Sequence, residues 1–418
     1  MAQKDILVFA NWKGLDGPIK IGTLQCESVR GKEVFSFEYN KEWIDSGRYH
    51  LLDPDLRLLS GPQYPGVEKT NFGLFLDSSP DRWGRLLLNR SQAYMARKEG
   101  RKPKPLQESD YLLGVHDILR MGGLRFKLED SGPFLNDDSA LSIPPMTRLR
   151  ELEEASLQLE RDDSIEDSRY SAWLNLLLAP GSSIGGARPK ANVSDVTNQL
   201  WIAKFPSRSD LTDTGGWEMV VWELAKRSGL SVPESTAEKF SGKGHTFLTK
   251  RFDRTPTRER IHFASAMTLL GYTDGTDFKD GASYLEFPEF LIQHGADVNR
   301  DLEEIWRRIV FSICVRNTDD HLRNHGFILS EGGWKLSPAY DMNPNPSGNG
   351  LTLNISLNDN SLDLEVAMEV RSFFRLSDKN AVEIIEKVKK EVQNWERIAE
   401  KVGIPRQEQE MMSRAFIS

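Results

Sequence analysis

An apolar pattern with helical spacing leads directly into a short, strongly polar segment, and this junction constrains the chain more than any other stretch. The polar segment, residues 317–324, reads Asn-Thr-Asp-Asp-His-Leu-Arg-Asn. The apolar positions before it recur as one face of a 3.6-residue helix. They are Leu302, Ile305, Trp306, Ile309, Val310, Ile313 and Cys314. After it, two short apolar runs at 326–329 and 334–336 flank a glycine-containing turn and predict a β-hairpin. A polar loop held between a buried helix and a hairpin is a common setting for chemistry.

The spacing of the polar residues narrows that chemistry. Asn324 lies five residues after Asp319, and Asp341 lies seventeen residues after Asn324 at the exit of the predicted hairpin (324 − 319 = 5; 341 − 324 = 17). Phosphoryl transfer uses one carboxylate at the acceptor hydroxyl, and it uses an Asn and a second Asp as oxygen ligands for magnesium. The catalytic loop of kinases separates its Asp and Asn by the same interval. The motif therefore favours phosphoryl transfer.

Two other interpretations fit the same segment. Asp and Asn side chains often bond to their own backbone, so the segment could be no more than a capped loop. His321 and His325 stand four residues apart, as in zinc hydrolases, and with Asp319 they could bind a metal. Leu322, however, occupies the position where the HExxH motif has its glutamate.

Composition bounds the class of protein. The chain has 418 residues, enough for two or three domains, and its formal net charge of −8 argues against bulk non-specific binding to nucleic acid. Its two cysteines, Cys26 and Cys314, are predicted to be buried thiols, which fits a reducing compartment. The apolar run at 6–10 is too short for a secretory signal, and no run approaches the length of a membrane span. We therefore expect a cytoplasmic protein that does not insert into membranes.

Regular patterns predict an α+β fold. Strand patterns occur at 6–10, 19–27 and 33–39, and helical patterns dominate after residue 256. A basic, proline-bearing link at 101–105 suggests a boundary. We predict a β-rich N-terminal subdomain at 1–105, a kinase N-lobe at 106–255 and a helical C-lobe at 256–418.

A glycine-rich loop is the candidate phosphate-binding element. Two adjacent glycines, flanking serines and two cations in 180–191 suit a backbone that approaches a phosphate closely. The predicted contacts are Ser183, Ile184, Gly185, Gly186, Ala187 and Lys190. The loop is neither a Walker A motif nor a GxGxxG motif, so a structural turn fits it as well.

Two charged residues extend the predicted nucleotide site. Lys204 lies in a predicted strand at 200–206, where it is either an edge-strand charge or the lysine that reaches the phosphates. Glu218 lies near the start of a predicted helix, where it is either a partner of the helix dipole or the acid that pairs with Lys204. A further strand at 247–254 would lead into the second lobe, and its backbone would form the hinge for adenine.

Six motifs, in this order along the chain, resemble the HipA family of toxin serine/threonine kinases. They are PDRWGR at 80–85, SIGGARPKA at 183–191, AKFP at 203–206, KRFDR at 250–254, TDDHLRN at 318–324 and PAYD at 338–341. The resemblance spans residues 5–400 and implies a two-lobed, protein-kinase-like fold. It departs from the best-studied toxins at Arg188-Pro189 and at Lys250, where an acidic residue is frequent.

The resemblance implies a role for each matching residue. Asp319 would be the catalytic base, and Asn324 and Asp341 would hold Mg²⁺. Lys204 would contact the phosphates of ATP. The remaining implied contacts are the backbones of Lys250 and Phe252 at the adenine, His321 beside the nucleotide, and Ser183 as the site of autophosphorylation. The role of Asp320 stays open.

The resemblance also implies partners. The family's known substrate is a glutamyl-tRNA synthetase, and its usual partner is a small helix-turn-helix antitoxin, through which DNA would be contacted indirectly. An alternative is a pseudo-kinase that acts as a co-repressor with such an antitoxin. The presence of Asp319, Asn324 and Asp341 together favours the enzyme.

Overall fold

The computed structural model describes residues 3–48, 50–138, 143–161, 165, 167–178, 188–240 and 242–417. The chain forms two compact units that alternate along the sequence. Unit 1 comprises Met1–Arg208 and Asp253–Ala264, and unit 2 comprises Ser209–Phe252 and Ser265–Ser418. The division into consecutive domains at 1–105, 106–255 and 256–418 stays a prediction.

A four-stranded antiparallel sheet forms the β-rich part of unit 1. Its strands are β1 (Gln3–Ala10), β2 (Ile19–Val29), β3 (Lys32–Tyr39) and β4 (Leu124–Lys127), in the order β3-β2-β1-β4. The three strands predicted at the N-terminus are confirmed. Alternate residues of β1 face the core, since Ile6, Val8 and Ala10 are completely buried.

A second antiparallel hairpin of unit 1 joins β5 (Lys190–Ser194) to β6 (Leu200–Lys204), with Lys190 opposite Lys204. The helices of unit 1 are α1 (Lys41–Asp45), α2 (Gly73–Leu76), α3 (Arg82–Lys98), α4 (Glu108–Gly114), α5 (Leu149–Leu159) and α6 (Tyr170–Leu178). Helix α3 begins at Arg82, because the Asp81 carboxylate caps it by accepting a hydrogen bond from the Gly84 N–H at 2.7 Å.

Two short hairpins lie in the described part of unit 2. The first pairs β7 (Ser235–Glu238) with β8 (Thr246–Lys250). Strand β9 (Phe263–Ser265) follows along the chain, where the sequence passes from unit 1 back to unit 2. The predicted hairpin after the polar loop is confirmed as β10 (Gly326–Ser330) and β11 (Gly333–Leu336). The strand predicted at 247–254 ends at Lys250.

Helices form most of unit 2. They are α7 (Thr214–Ser228), α8 (Ala266–Leu269), α9 (Glu286–His294), α10 (Val298–Val315), α11 (Leu364–Val370), α12 (Asp378–Val392), α13 (Trp395–Val402) and α14 (Arg406–Met412). Ser377 caps α12, because its hydroxyl accepts a hydrogen bond from the Asn380 N–H at 3.2 Å.

Helix α10 is the buried axis of unit 2. All seven residues of its predicted apolar face have no exposed surface, so the helical periodicity correctly identified the core. Cys314 is among them, and Cys26 is buried in β2; both are free thiols, as predicted. The C-terminal end of α10 is therefore a rigid point from which the polar loop departs.

Among the described residues, no helix combines the length and the apolar character needed to cross a membrane.

Candidate active site

The polar loop begins where α10 ends. Arg316 adopts a left-handed conformation with φ of 47°, which reverses the chain direction after Val315. Asn317 follows, buried, and its side-chain oxygen accepts a hydrogen bond from the Asn343 N–H at 3.1 Å. The loop is thus tied to the segment that follows Asp341.

Asn324 clamps the loop across its own turn. Its Nδ2 donates to the main-chain carbonyl of Asp319 at 2.7 Å. The Asp319 side chain itself is 82% exposed, and its Oδ1 lies 3.8 Å from His321 Nε2. The clamp therefore fixes the backbone of Asp319 while its carboxylate faces solvent.

The oxygen of the Asn324 amide is the predicted magnesium ligand. Asn324 Oδ1 is buried and has no hydrogen-bond partner within the described part of the chain. A buried acceptor without a donor costs free energy, whereas a cation at this oxygen would satisfy it. Asp341, the second predicted ligand, is half-buried and adopts φ of 57°, a left-handed conformation that Asp tolerates better than most residues. The donor types fit Mg²⁺, which prefers carboxylate and carbonyl oxygens.

Asp320 has the opposite environment to its neighbour. It is 1% exposed, its Oδ2 accepts a hydrogen bond from the Tyr284 hydroxyl, and its Oδ1 accepts one from the Thr352 N–H at 2.7 Å. Thr352 also donates its hydroxyl to the Thr318 carbonyl at 2.8 Å. Asp320 therefore anchors the loop from below and is shielded from a protein substrate.

Burial is the main cause of the shifted pKa of Asp320. It raises the pKa of Asp320 to about 7, although the hydrogen bonds from Tyr284 and Thr352 favour the charged form. Burial raises the pKa of Tyr284 well above its ordinary range, and the charge of Asp320 adds to that rise. Burial lowers the pKa of His325 to about 3, so this ring is neutral at physiological pH. The three groups form a buried polar cluster, with Tyr284 Oη 3.3 Å from His325 Nε2.

The predicted adenine hinge meets the segment that carries Asp341. The Phe252 ring packs on Tyr340 with centroids 5.7 Å apart, and the Tyr340 hydroxyl donates to the Arg323 carbonyl at 2.7 Å. Lys250 is the last residue of β8, and its N–H donates to the Glu234 carbonyl at 2.8 Å. A backbone contact from Lys250 to adenine would therefore use the carbonyl group of Lys250.

Glu218 lies further along α7 than expected. We placed it in the first turn, but Asp213 caps the helix by accepting from the Gly216 N–H at 3.0 Å, so α7 begins at Thr214. Glu218 is consequently the fifth helical residue and is buried, and its interpretation as a partner of the helix dipole in the first turn is wrong. Gly215 permits the cap, because a Cβ there would lie 2.1 Å from the His245 carbonyl oxygen.

Unit 1 holds the other predicted nucleotide contacts. Lys204 is the half-buried last residue of β6. Lys190 starts β5, and its fully buried ammonium lies 3.0 Å from Asp81 Oδ2, so it has an anionic partner within its own unit. Its contact with a phosphate stays a prediction. The remaining predicted loop contacts lie outside the described residues: Ser183, Ile184, Gly185, Gly186 and Ala187.

The zinc interpretation has no ligand set in the described ranges. No three His, Cys, Asp or Glu side chains come together there in a way that could hold a metal ion. His325 is buried under the loop, whereas Asp319 faces solvent.

Several residues that build the site carry no signal in the sequence. Tyr284 lies 36 residues before Asp320, and Thr352 lies 32 residues after it. The Asn-rich stretch at 343–360 supplies Asn343, Thr352 and Asn345, whose Nδ2 donates to the Thr318 hydroxyl at 2.8 Å. The composition of this stretch does not mark which of its residues reach the site.

Comparison with known proteins gives one family match. The model of the HipA-like C-terminal domain matches residues 182–396, which is half of the chain and includes the whole polar loop and Asp341. A protein of Haemophilus influenzae whose name proposes a kinase is 30% identical over 179 residues, covering 38% of this chain and 52% of that protein. The proposed kinase Y4dM of Sinorhizobium fredii is 30% identical over 159 residues, covering 35% of this chain and 37% of that protein. The chain thus spans about half or less of these curated relatives.

The solved structures that resemble this chain include one that is similar over nearly its full length. It is HipA of Shewanella oneidensis, determined in a complex with HipB and operator DNA. The TM-score is 0.63 at 16% identity, and the match covers 98% of this chain and 94% of that one. The likeness confirms the predicted fold class, α+β with sheets towards the N-terminus and helices towards the C-terminus.

Proposed function

The chain belongs to the family defined by the HipA-like C-terminal domain, and from that premise we propose that it is an ATP- and magnesium-dependent serine/threonine protein kinase. One observation carries the proposal. The Asn324 amide holds the Asp319 backbone with its nitrogen and keeps a buried, unpartnered oxygen among the described residues. The Asn324 side chain thus positions the candidate base and is itself a candidate magnesium ligand.

The proposed mechanism assigns separate work to each residue. Asp319, with its solvent-facing carboxylate, accepts the proton of the attacking hydroxyl as that oxygen bonds to the γ-phosphorus and the bond to the leaving ADP breaks. Asn324 and Asp341 would hold Mg²⁺, which neutralises charge on the phosphates when it is bound. Lys204 would contact the phosphates, and the main chain at Lys250 and Phe252 would bind the adenine. Asp320, Tyr284 and Thr352 keep the loop in position.

The proposal extends to substrates and partners. HipA of S. oneidensis was solved with HipB and DNA, which supports a helix-turn-helix antitoxin as the partner of this chain and an indirect contact with DNA. A glutamyl-tRNA synthetase is the first substrate to test, on the resemblance to HipA kinases. Such a system would act in the cytoplasm. Ser183 would be the autophosphorylated residue, where a phosphate adds a charge of about −2 to the glycine-rich loop.

Intact mass measurement after incubation with ATP and Mg²⁺ tests the proposal. We expect a phosphate-sized increment in the wild-type chain, and we expect it to vanish in Ser183→Ala. Ser182→Ala is the matched control, because it removes the neighbouring hydroxyl and should keep the increment. The absence of any phosphate on the wild-type chain, or its persistence in Ser183→Ala at the full level, would contradict the proposed autophosphorylation.

A further inference from the structure

A cavity of about 630 Å³ lies within unit 1, outside every residue assigned to phosphoryl transfer. Its walls come from 116–118, Arg125 in β4, 134–137, the turn between β5 and β6, and the turn at 254–258. Small-molecule sites usually measure about 300–1,000 Å³, so the cavity has room for a ligand of mononucleotide size.

The side chains that line the cavity carry a small excess of positive charge. Three guanidinium groups face two carboxylates, a difference of one (3 − 2 = 1). The groups are Arg125, Arg254 and Arg258, against Asp117 and Asp137. This local excess stands out in a chain of net charge −8. A concave surface with a positive excess concentrates anions.

The ion pairs show which arginine is available. Asp117 forms ion pairs with two arginines, with Arg125 at 2.7 Å and with Arg260 at 3.2 Å. Arg254 donates to Asp253 and to the main-chain carbonyls of Ile118 and Arg120. Arg258, in contrast, is exposed on its turn, and none of the described residues accepts a hydrogen bond from its guanidinium. Arg258 can therefore bind an anion without breaking an ion pair.

The rest of the lining suits an organic body attached to the anion. The Arg125 guanidinium lies 3.6 Å from the centre of the Phe134 ring, and Ile118 is 52% exposed beside them. The amide side chains of Asn198 and Gln199 line the opposite turn. An apolar patch with amides around it favours a planar or apolar group over a bare ion.

We propose that this cavity binds a phosphorylated small molecule of mononucleotide size, with its phosphate at Arg258 and its body against Phe134 and Ile118. Arginine is the residue best suited to the phosphate, because its planar guanidinium matches two phosphate oxygens. The site is separate from the proposed kinase function, so either one can fail without the other.

Calorimetric titration of the full-length chain with uridine 5′-monophosphate tests the site, with inorganic phosphate as the comparison ligand and saturating Mg-ADP present in a parallel series. We expect one binding site that is tighter for the nucleotide than for phosphate and is unchanged by Mg-ADP. Arg258→Glu should weaken binding by about tenfold or more. Arg30→Glu is the matched control, since Arg30 is also an exposed arginine of unit 1 at positive φ (51°, against 69° for Arg258) and does not line the cavity.

A second variant tests the body of the ligand. Ile118→Trp should fill the cavity without changing its charge and should also abolish binding. The proposal is overturned if the wild-type chain binds neither probe, if phosphate binds as tightly as the nucleotide, or if Mg-ADP displaces the nucleotide. Equal losses in Arg258→Glu and Arg30→Glu, or full binding by Ile118→Trp, would overturn it as well.

Discussion

Two adjacent aspartates define the site at the scale of single residues. Asp319 is solvent-facing and Asp320 is buried, because the turn after α10 sends consecutive side chains in opposite directions. The exposed carboxylate suits proton transfer with a protein substrate. The buried one suits anchorage, since both of its oxygens accept hydrogen bonds from elsewhere in unit 2.

Tyr284→Phe should weaken that anchorage without touching the reacting groups. Loss of the hydroxyl leaves Asp320 with one donor fewer, which should lower the free energy of unfolding by about 1–3 kcal/mol and slow phosphate transfer. Tyr272→Phe is the control, because the Tyr272 hydroxyl also donates to a carboxylate, Glu286 at 2.7 Å, away from the polar loop.

Both tyrosine variants should lose stability, but only Tyr284→Phe should lose transfer rate at unchanged ATP affinity. Single-turnover kinetics and chemical denaturation measure the two effects. Equal rates in the two variants would show that Tyr284 does not position the loop.

Asp320→Asn should change how stability depends on pH. Folding raises the pKa of Asp320 to about 7 from an unfolded value of about 4, so between these values the folded state binds the extra proton. The contribution of Asp320 to the wild-type free energy of unfolding therefore falls as pH rises, by about 1.4 kcal/mol per pH unit, and levels off above pH 7.

The free energy of unfolding of Asp320→Asn minus that of wild type should accordingly rise from pH 5 to pH 7, measured by urea denaturation. Glu331→Gln is the control, because Glu331 is exposed in the β10–β11 turn. A pH-independent difference for Asp320→Asn would contradict the buried, protonated carboxyl.

The separation of Asp319, Asn324 and Asp341 could be read from the sequence because it is a local spacing with chemical meaning. Tyr284 and Thr352 could not, since side-chain hydrogen bonds over more than 30 residues leave no periodic trace. Spacing alone also did not distinguish Asp319 from Asp320. Their difference is one of burial, which depends on the packed surroundings of the loop.

At the scale of elements, strong periodicity predicted well and local caps decided the boundaries. Helix α10 and the β10–β11 hairpin match the patterns in the sequence. Side-chain caps set the starts of α3 and α7, by Asp81 and by Asp213 respectively. The start of β5 inside a glycine-rich stretch was not anticipated, because a strand there contradicts local propensity.

Lys190→Met should be strongly destabilising, because Lys190 joins β5 to α3. Its ammonium neutralises Asp81, the cap of α3, and its carbonyl accepts a hydrogen bond from Trp83 Nε1 at 3.0 Å. Removing the lysine takes an ammonium partner away from a buried carboxylate, at a cost of about 3–5 kcal/mol in the free energy of unfolding.

The double variant Lys190→Met, Asp81→Ser should recover most of that loss, since serine also caps helices. Lys4→Met is the control, because its ion pair with Asp110 is exposed and should contribute less than about 1 kcal/mol. Chemical denaturation measures the free energy of unfolding of all three variants. A loss in Lys190→Met no larger than that in Lys4→Met would refute the structural role.

At the scale of the whole molecule, the chain alternates between two units, and the order of its motifs identifies the family. Residues 253–264 return to unit 1 after unit 2 has begun, a path that no local pattern marks. The family match and the likeness to HipA depend on motif order and topology. Six short motifs, in their order along the sequence, indicated the same family. Substrate and partner depend on surfaces whose complements lie in other proteins.

Transfer of labelled γ-phosphate from Mg-ATP, compared between wild type and Asp319→Asn, tests the central claim most directly. Label incorporated into the chain and ATP binding by calorimetry are measured together, with Glu331→Gln as the control for a lost surface charge. The predicted result is a rate lowered by about 10²–10⁴-fold in Asp319→Asn at unchanged ATP affinity. A wild-type rate in Asp319→Asn, or no transfer by the wild-type chain, would contradict the claim that the polar loop is a phosphoryl-transfer site.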